Sequence, residues 1–218
     1  MNNFRTIEIK ESVYEDNNRD AQLLRGELAA KRVSLLNLMS SPGAGKTSLL
    51  VKTIAALKSS MKIAVMEADI DSDVDAQTIA AEGVPVIQLH TGGMCHLDAD
   101  MTRQGINALN ASDAELIILE NVGNLICTAD FDTGATKNAM ILSVPEGDDK
   151  PLKYPKMFAI CDALIISKID TLPVFDFNID LCVERVRKLN PNIKVFPLSA
   201  KTGDGMEAWV EWLREQVK

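Results

Sequence analysis

A glycine-rich segment directly follows the first apolar run of the chain and reads Ser-Ser-Pro-Gly-Ala-Gly-Lys-Thr over residues 40–47. Between a strand and a helix, such glycines let backbone N–H groups turn towards phosphate oxygens, the lysine reaches the outer phosphates and the threonine hydroxyl holds Mg²⁺. Ser40 stands where the general pattern has its first glycine, and a plain helix cap is the alternative interpretation. The segment predicts a nucleoside triphosphate site formed by Gly43, Ala44, Gly45, Lys46, Thr47 and Ser48.

Two segments nearer the C-terminus carry groups that suit a guanine base. Asp170 can accept hydrogen bonds from guanine N1 and N2, for which adenine has no matching pair of donors, and the Lys168 stem can lie along the ring. The usual motif begins with Asn where this chain has Ser167, and Lys-x-Asp by itself is a frequent surface turn. Together with the later segment, the motif favours GTP over ATP, with backbone amides of the clamp supplied by Ser199, Ala200 and Lys201.

Carboxylates follow two of the apolar runs, where they could reach a magnesium ion held by Thr47. Asp69 and Asp75 are the best placed in the acidic stretch 67–75, although a solvated loop that caps the next helix at Asp73 or Asp75 is the alternative. Glu120 ends another apolar run, and a charge at that point faces the crevice where parallel sheets bind ligands. The amide of Gly123 is close enough in sequence to sense a γ-phosphate. The predicted catalytic set is Lys46, Asp75, Glu120 and Gly123, and the predicted magnesium set is Thr47, Asp69, Asp75 and Glu120.

The four cysteines are widely spaced, which makes a disulfide framework improbable in a reducing compartment and predicts free thiols or metal ligands. Cys95 adjoins His96, one of two histidines, and Cys127 follows the Glu120 motif. Thiolate and imidazole suit Ni²⁺ and Zn²⁺, but a buried thiol and a helix-start capping imidazole are the alternatives. The apolar neighbours of the other two cysteines favour core positions on helices for Cys161 and Cys182.

The overall charge and apolar content limit the classes of partner. The chain has 23 Lys and Arg against 31 Asp and Glu, a net charge of −8, and lacks a basic run. We therefore expect neither nucleic acid nor a membrane surface as a partner. No apolar run approaches the roughly 20 residues that span a bilayer, and the first ten residues lack the apolar core of a signal peptide. These features predict a cytosolic protein.

Apolar runs alternate with helical patterns along the chain, and this order predicts an α/β fold. We expect a three-layer P-loop NTPase fold, with a central, mostly parallel sheet of about seven strands and helices on both faces. Residues 1–32 are predicted to be a polar, helical lead-in and residues 33–218 the GTPase domain. The predicted strands are Val33–Met39, Lys62–Glu67, Val86–His90, Leu116–Glu120, Ala139–Val144, Ala163–Ser167 and Ile193–Leu198. The predicted helices are Asp16–Lys31, Thr47–Leu57, Asp98–Leu109, Ile179–Leu189 and Asp204–Val217.

These motifs resemble those of the hydrogenase nickel-incorporation GTPase family, HypB, a family of SIMIBI-class P-loop GTPases. The resemblance covers residues 24–217. Its most specific parts are the Cys-His-Leu-Asp-Ala string that begins at Cys95 and the Glu-Asn-Val-Gly-Asn-Leu-Ile-Cys string from Glu120 to Cys127. The other matching segments are 41–47, 69–76, 91–94, 146–155 and 167–170.

The resemblance implies a metallochaperone driven by GTP hydrolysis that helps to place nickel into [NiFe]-hydrogenase, with GTP or GDP and Mg²⁺ as ligands. It implies a metal site for Ni²⁺ or Zn²⁺ at Cys95, His96 and Cys127, and a GTP-favoured homodimer with metal at its interface. The partners that the resemblance implies are a HypA-type nickel chaperone, the chaperone SlyD and the precursor of the hydrogenase large subunit. Members of this family often carry an N-terminal cysteine motif or histidine-rich tract, and residues 1–40 here contain neither residue type, so we do not expect tight nickel storage.

The predicted mechanism couples the two sites through sequence proximity. Gly123 lies four residues before Cys127, so a γ-phosphate contact there would move a metal ligand, and hydrolysis would release the metal. Without an evident arginine finger, we expect slow intrinsic turnover. Lys153 either supplies a charge to the phosphates across the dimer or is a solvated loop residue. The alternative functions are a GTPase chaperone for urease or a cobalamin-dependent mutase, a small-molecule kinase, and a nucleotide-switched zinc module.

Overall fold

The computed structural model describes residues 9–69 and 74–217. Its strands are β1 (Ser34–Ser40), β2 (Ile63–Asp69), β3 (Val86–His90), β4 (Leu116–Glu120), β5 (Lys137–Ser143), β6 (Ala163–Ser167) and β7 (Lys194–Pro197). Its helices are α1 (Ile9–Ala30), α2 (Lys46–Leu57), α3 (Val74–Ala80), α4 (Ala99–Ala108), α5 (Cys127–Asp130), α6 (Lys150–Lys153), α7 (Pro155–Ile160), α8 (Ile179–Leu189) and α9 (Met206–Gln216).

The seven strands form one sheet in the order β3-β2-β4-β1-β5-β6-β7, and every pairing is parallel. The predicted α/β class and strand number are confirmed, and the sheet is wholly rather than mostly parallel. Because parallel neighbours need crossover connections, the helices must lie over the two faces. All strands therefore end at one edge of the sheet, where the loops with the motifs begin.

Alternate side chains of β1 show how both faces are buried. Leu36 and Leu38 belong to a core under α2, α3 and α9, whereas Leu35 faces α1 and α4, and Met39 faces α7 and α8. This two-sided burial explains why the strand reads as a continuous apolar run. The three predicted layers are confirmed.

The helix predictions differ from the structure mainly in length and in the short helices. α1 begins at Ile9 rather than at Asp16. The short helices α3, α5, α6 and α7 are absent from the predicted set, because four to seven residues are too few to show an amphipathic period. Cys161 follows the last residue of α7 rather than lying on a helix, but it is buried, as is Cys182, so both core positions are confirmed.

α1 is fixed to the body of the protein by polar contacts as well as by its apolar side. Asn17 donates a hydrogen bond to the carbonyl of Asp132 (3.0 Å) and accepts one from the amide of Ala99 (2.9 Å). Arg25 pairs with the Asp132 carboxylate and donates to the carbonyl of Ala135 (2.9 Å). Within the described residues, no helix has the length and apolar composition needed to cross a lipid bilayer.

Candidate functional site

The glycine-rich loop joins β1 to α2 at the carboxyl edge of the sheet. Gly43 and Gly45 have φ values of +74° and +99°, a backbone region that favours glycine, and Gly45 is the N-cap of α2. Lys46 Nζ donates to the Oγ of Ser40 at 3.1 Å. The loop thus has the strand, helix and left-handed glycines that phosphate binding by backbone amides requires.

The predicted base-binding residues surround one cavity of about 290 Å³ beside this loop. The Oγ of Ser199 donates to Asp170 Oδ1 at 2.7 Å, and Lys168 Nζ donates to the carbonyl of Gly43 at 2.7 Å. Ser167 donates from its hydroxyl to the carbonyl of Ala44 at 2.8 Å, so the serine connects this motif to the phosphate loop. The predicted ligand-binding residues that line the cavity are Ala44, Gly45, Ser48, Lys168, Asp170, Ser199, Ala200 and Lys201.

Carboxylates from β2, β4 and α3 converge beneath the start of α2. Thr47 Oγ1 donates to Glu120 Oε1 at 3.0 Å, and each of Glu67, Asp75 and Glu120 offers an oxygen within 4.8 Å of the others. Asp69 is not in this group, although its charge raises the pKa of both buried glutamates. The predicted positions between 70 and 73 lie outside the described residues.

Burial controls the ionisation of the two glutamates. Desolvation raises the pKa of Glu120 to about 7, opposed by the Lys46 charge and the Thr47 hydrogen bond. Desolvation also raises the pKa of Glu67 to about 7, opposed by the Gln88 side chain and reinforced by neighbouring carboxylates. Because Glu120 Oε2 is buried without a hydrogen-bond partner, a cation beside the Thr47 hydroxyl would satisfy it. The donor set fits Mg²⁺.

The turns after β3 and β4 bring the two predicted sulfur ligands together. The structure joins Cys95 and Cys127 as a disulfide, with Cα atoms 6.1 Å apart. The prediction of free thiols is therefore wrong for this pair in the form described, whereas their role as metal ligands stays a prediction. That prediction used the compartment and the wide sequence spacing, whereas the parallel sheet places the ends of non-adjacent segments side by side.

His96 completes the same cluster. One ligand atom from each of Cys95, His96 and Cys127 lies within 4.8 Å of the others, and Cys95 Sγ is 4.0 Å from His96 Nδ1. Burial lowers the pKa of His96, against the opposing charges of Asp98 and Asp130, which favours the neutral imidazole that binds metal. The N-cap of α4 is Asp98, so the capping alternative for His96 is wrong.

Side chains behind the cluster orient its ligands. The Phe131 ring stacks on His96, with centroids 3.7 Å apart and planes at 13°, and Tyr14 of α1 contacts Phe131 at 5.0 Å. Asn124 Oδ1 accepts from the amides of Ile126 and Cys127, both at 2.8 Å. The chain at Cys127 is thus held in a defined turn.

Gly123 connects this cluster to the phosphate loop. A Cβ at Gly123 would lie 3.1 Å from the backbone nitrogen of Pro42, which is closer than a side chain normally allows. The chain after β4 therefore lies against the phosphate loop and reaches Cys127 four residues later. A second contact, between the Ser41 hydroxyl and Glu146, links the phosphate loop to the turn after β5.

The structure gives Lys153 a partner within its own chain, and it adds three residues that the sequence did not indicate. Lys153 pairs with Asp149 at 2.6 Å, and its side chain is 59% exposed. Sequence reasoning did not assign Glu67, Gln88 or Phe131 to a site. The alternation of β2 could have indicated Glu67, which shares a face with buried Val65, but its neighbours depend on strand order.

Comparisons with known proteins agree with this arrangement. Residues 34–197 match the family model for the CobW/HypB/UreG nucleotide-binding domain. The chain is 44% identical over 216 residues to the hydrogenase maturation factor HypB of Escherichia coli K12, which covers 99% of this chain and 74% of that protein. It is 38% identical to the hydrogenase/urease maturation factor HypB of Helicobacter pylori J99, covering 97% of this chain and 88% of that protein.

A solved structure provides a comparison of the fold. The crystal structure of Helicobacter pylori HypB in complex with nickel superposes with a TM-score of 0.87 at 38% identity, covering 92% of this chain and 94% of that chain. The sequence matches extend over nearly the whole chain, and the structural match covers more than nine tenths of both chains. The chain therefore belongs to the HypB family of hydrogenase maturation factors, within the CobW/HypB/UreG nucleotide-binding proteins.

Proposed function

We propose that the chain is a GTP-hydrolysing metallochaperone that carries Ni²⁺, or alternatively Zn²⁺, at Cys95, His96 and Cys127. In this proposal it assists nickel insertion into [NiFe]-hydrogenase in the cytoplasm. The observation that carries the proposal is the short segment from Gly123, packed against the phosphate loop, to Cys127 in the metal-ligand cluster. A change at the phosphates would reach a metal ligand through four residues of chain.

The nucleotide part of the proposal depends on the base cavity and the acidic cluster. Asp170 would accept from the guanine edge, while Thr47, Asp75 and Glu120 would hold Mg²⁺. When bound, the metal ion supplies positive charge to the phosphates. Among the described residues that line the two cavities beside the loop there is no arginine, which supports slow intrinsic turnover.

The metal part of the proposal requires the dithiol form of Cys95 and Cys127. Two thiolates and a neutral imidazole suit Ni²⁺ and Zn²⁺, and three ligands leave a coordination position for water or for a partner. A coordination shell that is completed by water or by a partner suits a metal ion that must later be released. Sulfur that is tied up in a disulfide cannot bind in this way, so the cluster would accept metal only after reduction.

Exposed apolar side chains adjoin the cluster and support a homodimer at this surface. Ile126, next to Cys127, is 61% exposed, and Met94, next to Cys95, is 39% exposed. We propose that GTP favours this dimer and that Lys153 reaches the phosphates of the partner subunit. We further propose a HypA-type nickel chaperone as donor and the precursor of the hydrogenase large subunit as recipient.

The test is a titration of Ni²⁺ into reduced, metal-free protein that holds GDP or a non-hydrolysable GTP analogue. We expect the nickel affinity to differ by about 5- to 150-fold between the two nucleotides, the range of ordinary coupling energies. Thiolate-to-metal absorption and molecular mass are the measurements. Cys95→Ala and Cys127→Ala should abolish the signal, and the matched control Cys182→Ala, a buried cysteine outside the cluster, should retain it.

The proposal is contradicted if the nickel affinity is the same with both nucleotides and is unchanged in Cys95→Ala and Cys127→Ala. GTP turnover at a rate above that of a Lys46→Ala variant would identify a GTPase. A zinc-binding module that changes conformation with the bound nucleotide, without hydrolysing it, would show no such turnover.

Urease maturation is the second candidate function, because the Helicobacter pylori relative is named for both hydrogenase and urease. The same nickel site would serve either recipient. Nickel-loaded protein mixed with the metal-free precursor of each enzyme distinguishes them: activation of hydrogenase alone supports the first function, and activation of urease alone supports the second.

A further inference from the structure

Buried polar atoms without hydrogen-bond partners concentrate at one place in the described part of the chain. There are five such side-chain atoms, and four of them belong to Glu67, Gln88 and Glu120. The fifth is the hydroxyl oxygen of Thr133. Buried polar groups in folded proteins nearly always have a partner, so a concentration of exceptions indicates a bound group.

The strand register explains why these three side chains meet. Glu67 of β2 is the register partner of Gln88 on β3 and of Glu120 on β4. Register partners in a parallel sheet point to the same face, so the three form a row across the sheet. This row lies on the face that α2 and α3 cover, directly beneath Thr47 and Asp75.

Burying these three polar side chains without hydrogen-bond partners costs folding free energy unless another group binds to them. Glu67 is 2% exposed and Glu120 is 1% exposed. Glu120 uses Oε1 to accept from Thr47, but its Oε2, Glu67 Oε2 and both polar atoms of the Gln88 side chain have no partner at hydrogen-bonding geometry. The Gln88 side chain is nevertheless close enough to Glu67 to lower the pKa of that carboxyl, so the two side chains face each other in the row. The carboxylate and amide oxygens offer acceptors, which is what the two hydrogens of a metal-bound water need, and the Gln88 NH₂ group can donate to the Glu67 carboxylate.

We propose that Glu67 and Gln88 form an outer layer of the magnesium site, in which they bind a water molecule that belongs to the hydration shell of the metal. The inference depends on the proposed magnesium site at Thr47, Asp75 and Glu120 and extends it to residues with no assigned role. Mg²⁺ keeps several of its waters and takes only one or two protein carboxylates directly. The phosphates, Thr47, Asp75 and Glu120 would take the direct positions in that shell, which would leave Glu67 to accept from a bound water.

Glu67 is therefore a positioning residue. It contributes negative charge and a hydrogen-bond acceptor to the metal, while Gln88 fixes the water and the Glu67 carboxylate from the other side. Removal of such outer partners typically weakens metal binding 10- to 100-fold. The effect should fall on the metal and not on the nucleotide, because the row lies below the phosphate loop rather than in the base cavity.

The experiment measures Mn²⁺ binding to the GDP-bound protein by electron paramagnetic resonance, with Mg²⁺ competition to give the Mg²⁺ affinity. Glu67→Gln preserves volume and removes the charge, and Gln88→Leu removes the amide without touching a carboxylate. We expect Glu67→Gln to weaken the metal affinity about 10-fold or more. GDP affinity in EDTA should stay within about twofold of wild type. Glu184→Gln is the matched control, because it removes the same charge from an exposed site on α8.

Glu120→Gln separates failure of this inference from failure of the proposed function. If Glu120→Gln weakens Mn²⁺ binding while Glu67→Gln and Gln88→Leu match wild type, the outer layer is overturned and the magnesium site stands. If all three match wild type, the metal binds elsewhere and both are overturned. A Glu67→Gln protein that loses GDP affinity in EDTA has a packing defect, which also overturns the inference. If that variant does not fold, Gln88→Leu decides by the same measurement.

Discussion

Two serines stand where the common nucleotide-binding motifs have other residues, and the structure gives each a contact that explains it. The Ser40 hydroxyl accepts from Lys46 at 3.1 Å, and Ser167 donates to the carbonyl of Ala44 at 2.8 Å. Both hydroxyls bind groups of the phosphate loop itself. Although both serines depart from the common motifs, each one therefore still holds a residue of the phosphate loop in place.

Asp170 provides the residue-scale prediction for base recognition. Asp170→Asn replaces an acceptor with a donor at the position that, in the proposed complex, would face guanine N1 and N2. We expect GTP binding to weaken about 10- to 100-fold, because one charged acceptor is lost and an amide N–H opposes a base N–H. Xanthosine triphosphate should bind better than GTP, since its base presents an acceptor there.

Competition binding with a fluorescent nucleotide measures both affinities. Asp180→Asn, which changes an exposed carboxylate in the first turn of α8, is the control. An Asp170→Asn protein that still prefers GTP would contradict this account of base recognition.

At the scale of elements, α1 and the residue that follows the short helix α5 pack behind the cluster of Cys95, His96 and Cys127. Tyr14 of α1 contacts Phe131, which follows α5 and stacks on His96 at 3.7 Å. We expect Phe131→Leu to weaken Ni²⁺ binding about 10-fold, because the imidazole loses the ring that fixes its orientation. Thiolate-to-nickel absorption on reduced protein gives the affinity. Phe175→Leu, at a 42% exposed phenylalanine outside the cluster, should bind nickel as wild type does, and equal affinity in both variants would refute the role.

The packing of α4 on the sheet gives a second element-scale prediction. A Cβ at Gly105 would lie 2.9 Å from both Leu89 and Met66, whereas a Cβ at Gly26 of α1 meets nothing within 4 Å. Both glycines are helical, so alanine gains about 1 kcal/mol of helix propensity at either. We expect Gly26→Ala to raise the free energy of unfolding by up to about 1 kcal/mol. Gly105→Ala should lower it by about 1–2 kcal/mol, because overpacking outweighs the gain.

Urea denaturation of the two variants measures the difference. Since the substitutions are chemically identical, a similar change in both would show that α4 yields to the added methyl group.

At the scale of the whole molecule, the parallel sheet determines what the sequence could predict. Each strand is a short apolar run that ends in polar residues, so the seven strands and the motifs behind them are visible in the sequence. Contacts between segments are not visible, because they depend on the order β3-β2-β4-β1-β5-β6-β7. The row of Glu67, Gln88 and Glu120 and the pairing of Cys95 with Cys127 both arise from that order.

The buried row also makes the stability of the metal-free molecule depend on pH. Glu67 and Glu120 each have a pKa raised from 4.5 to about 7, chiefly by desolvation. Between these values the folded state binds more protons than the unfolded state, so the stability from these groups is present at low pH and falls as the pH rises through 7. In the proposed magnesium site, Mg²⁺ would oppose this loss, because the cation would compensate the carboxylate charges.

Glu67→Gln tests this pH dependence, because glutamine resembles the protonated glutamate at every pH. In EDTA we expect the variant to match wild-type Tm near pH 4, below the unfolded pKa of 4.5, and to exceed it by several degrees at pH 8, where wild type carries the uncompensated charge. With Mg²⁺ and GDP the higher Tm of the variant should vanish or reverse, because the Glu67 charge would then stabilise the bound cation. Glu184→Gln should show a constant difference between pH 5.5 and 8, since Lys188 lowers the pKa of Glu184 below that window. A Glu67→Gln difference that is equally constant would mean that this carboxyl does not titrate during folding.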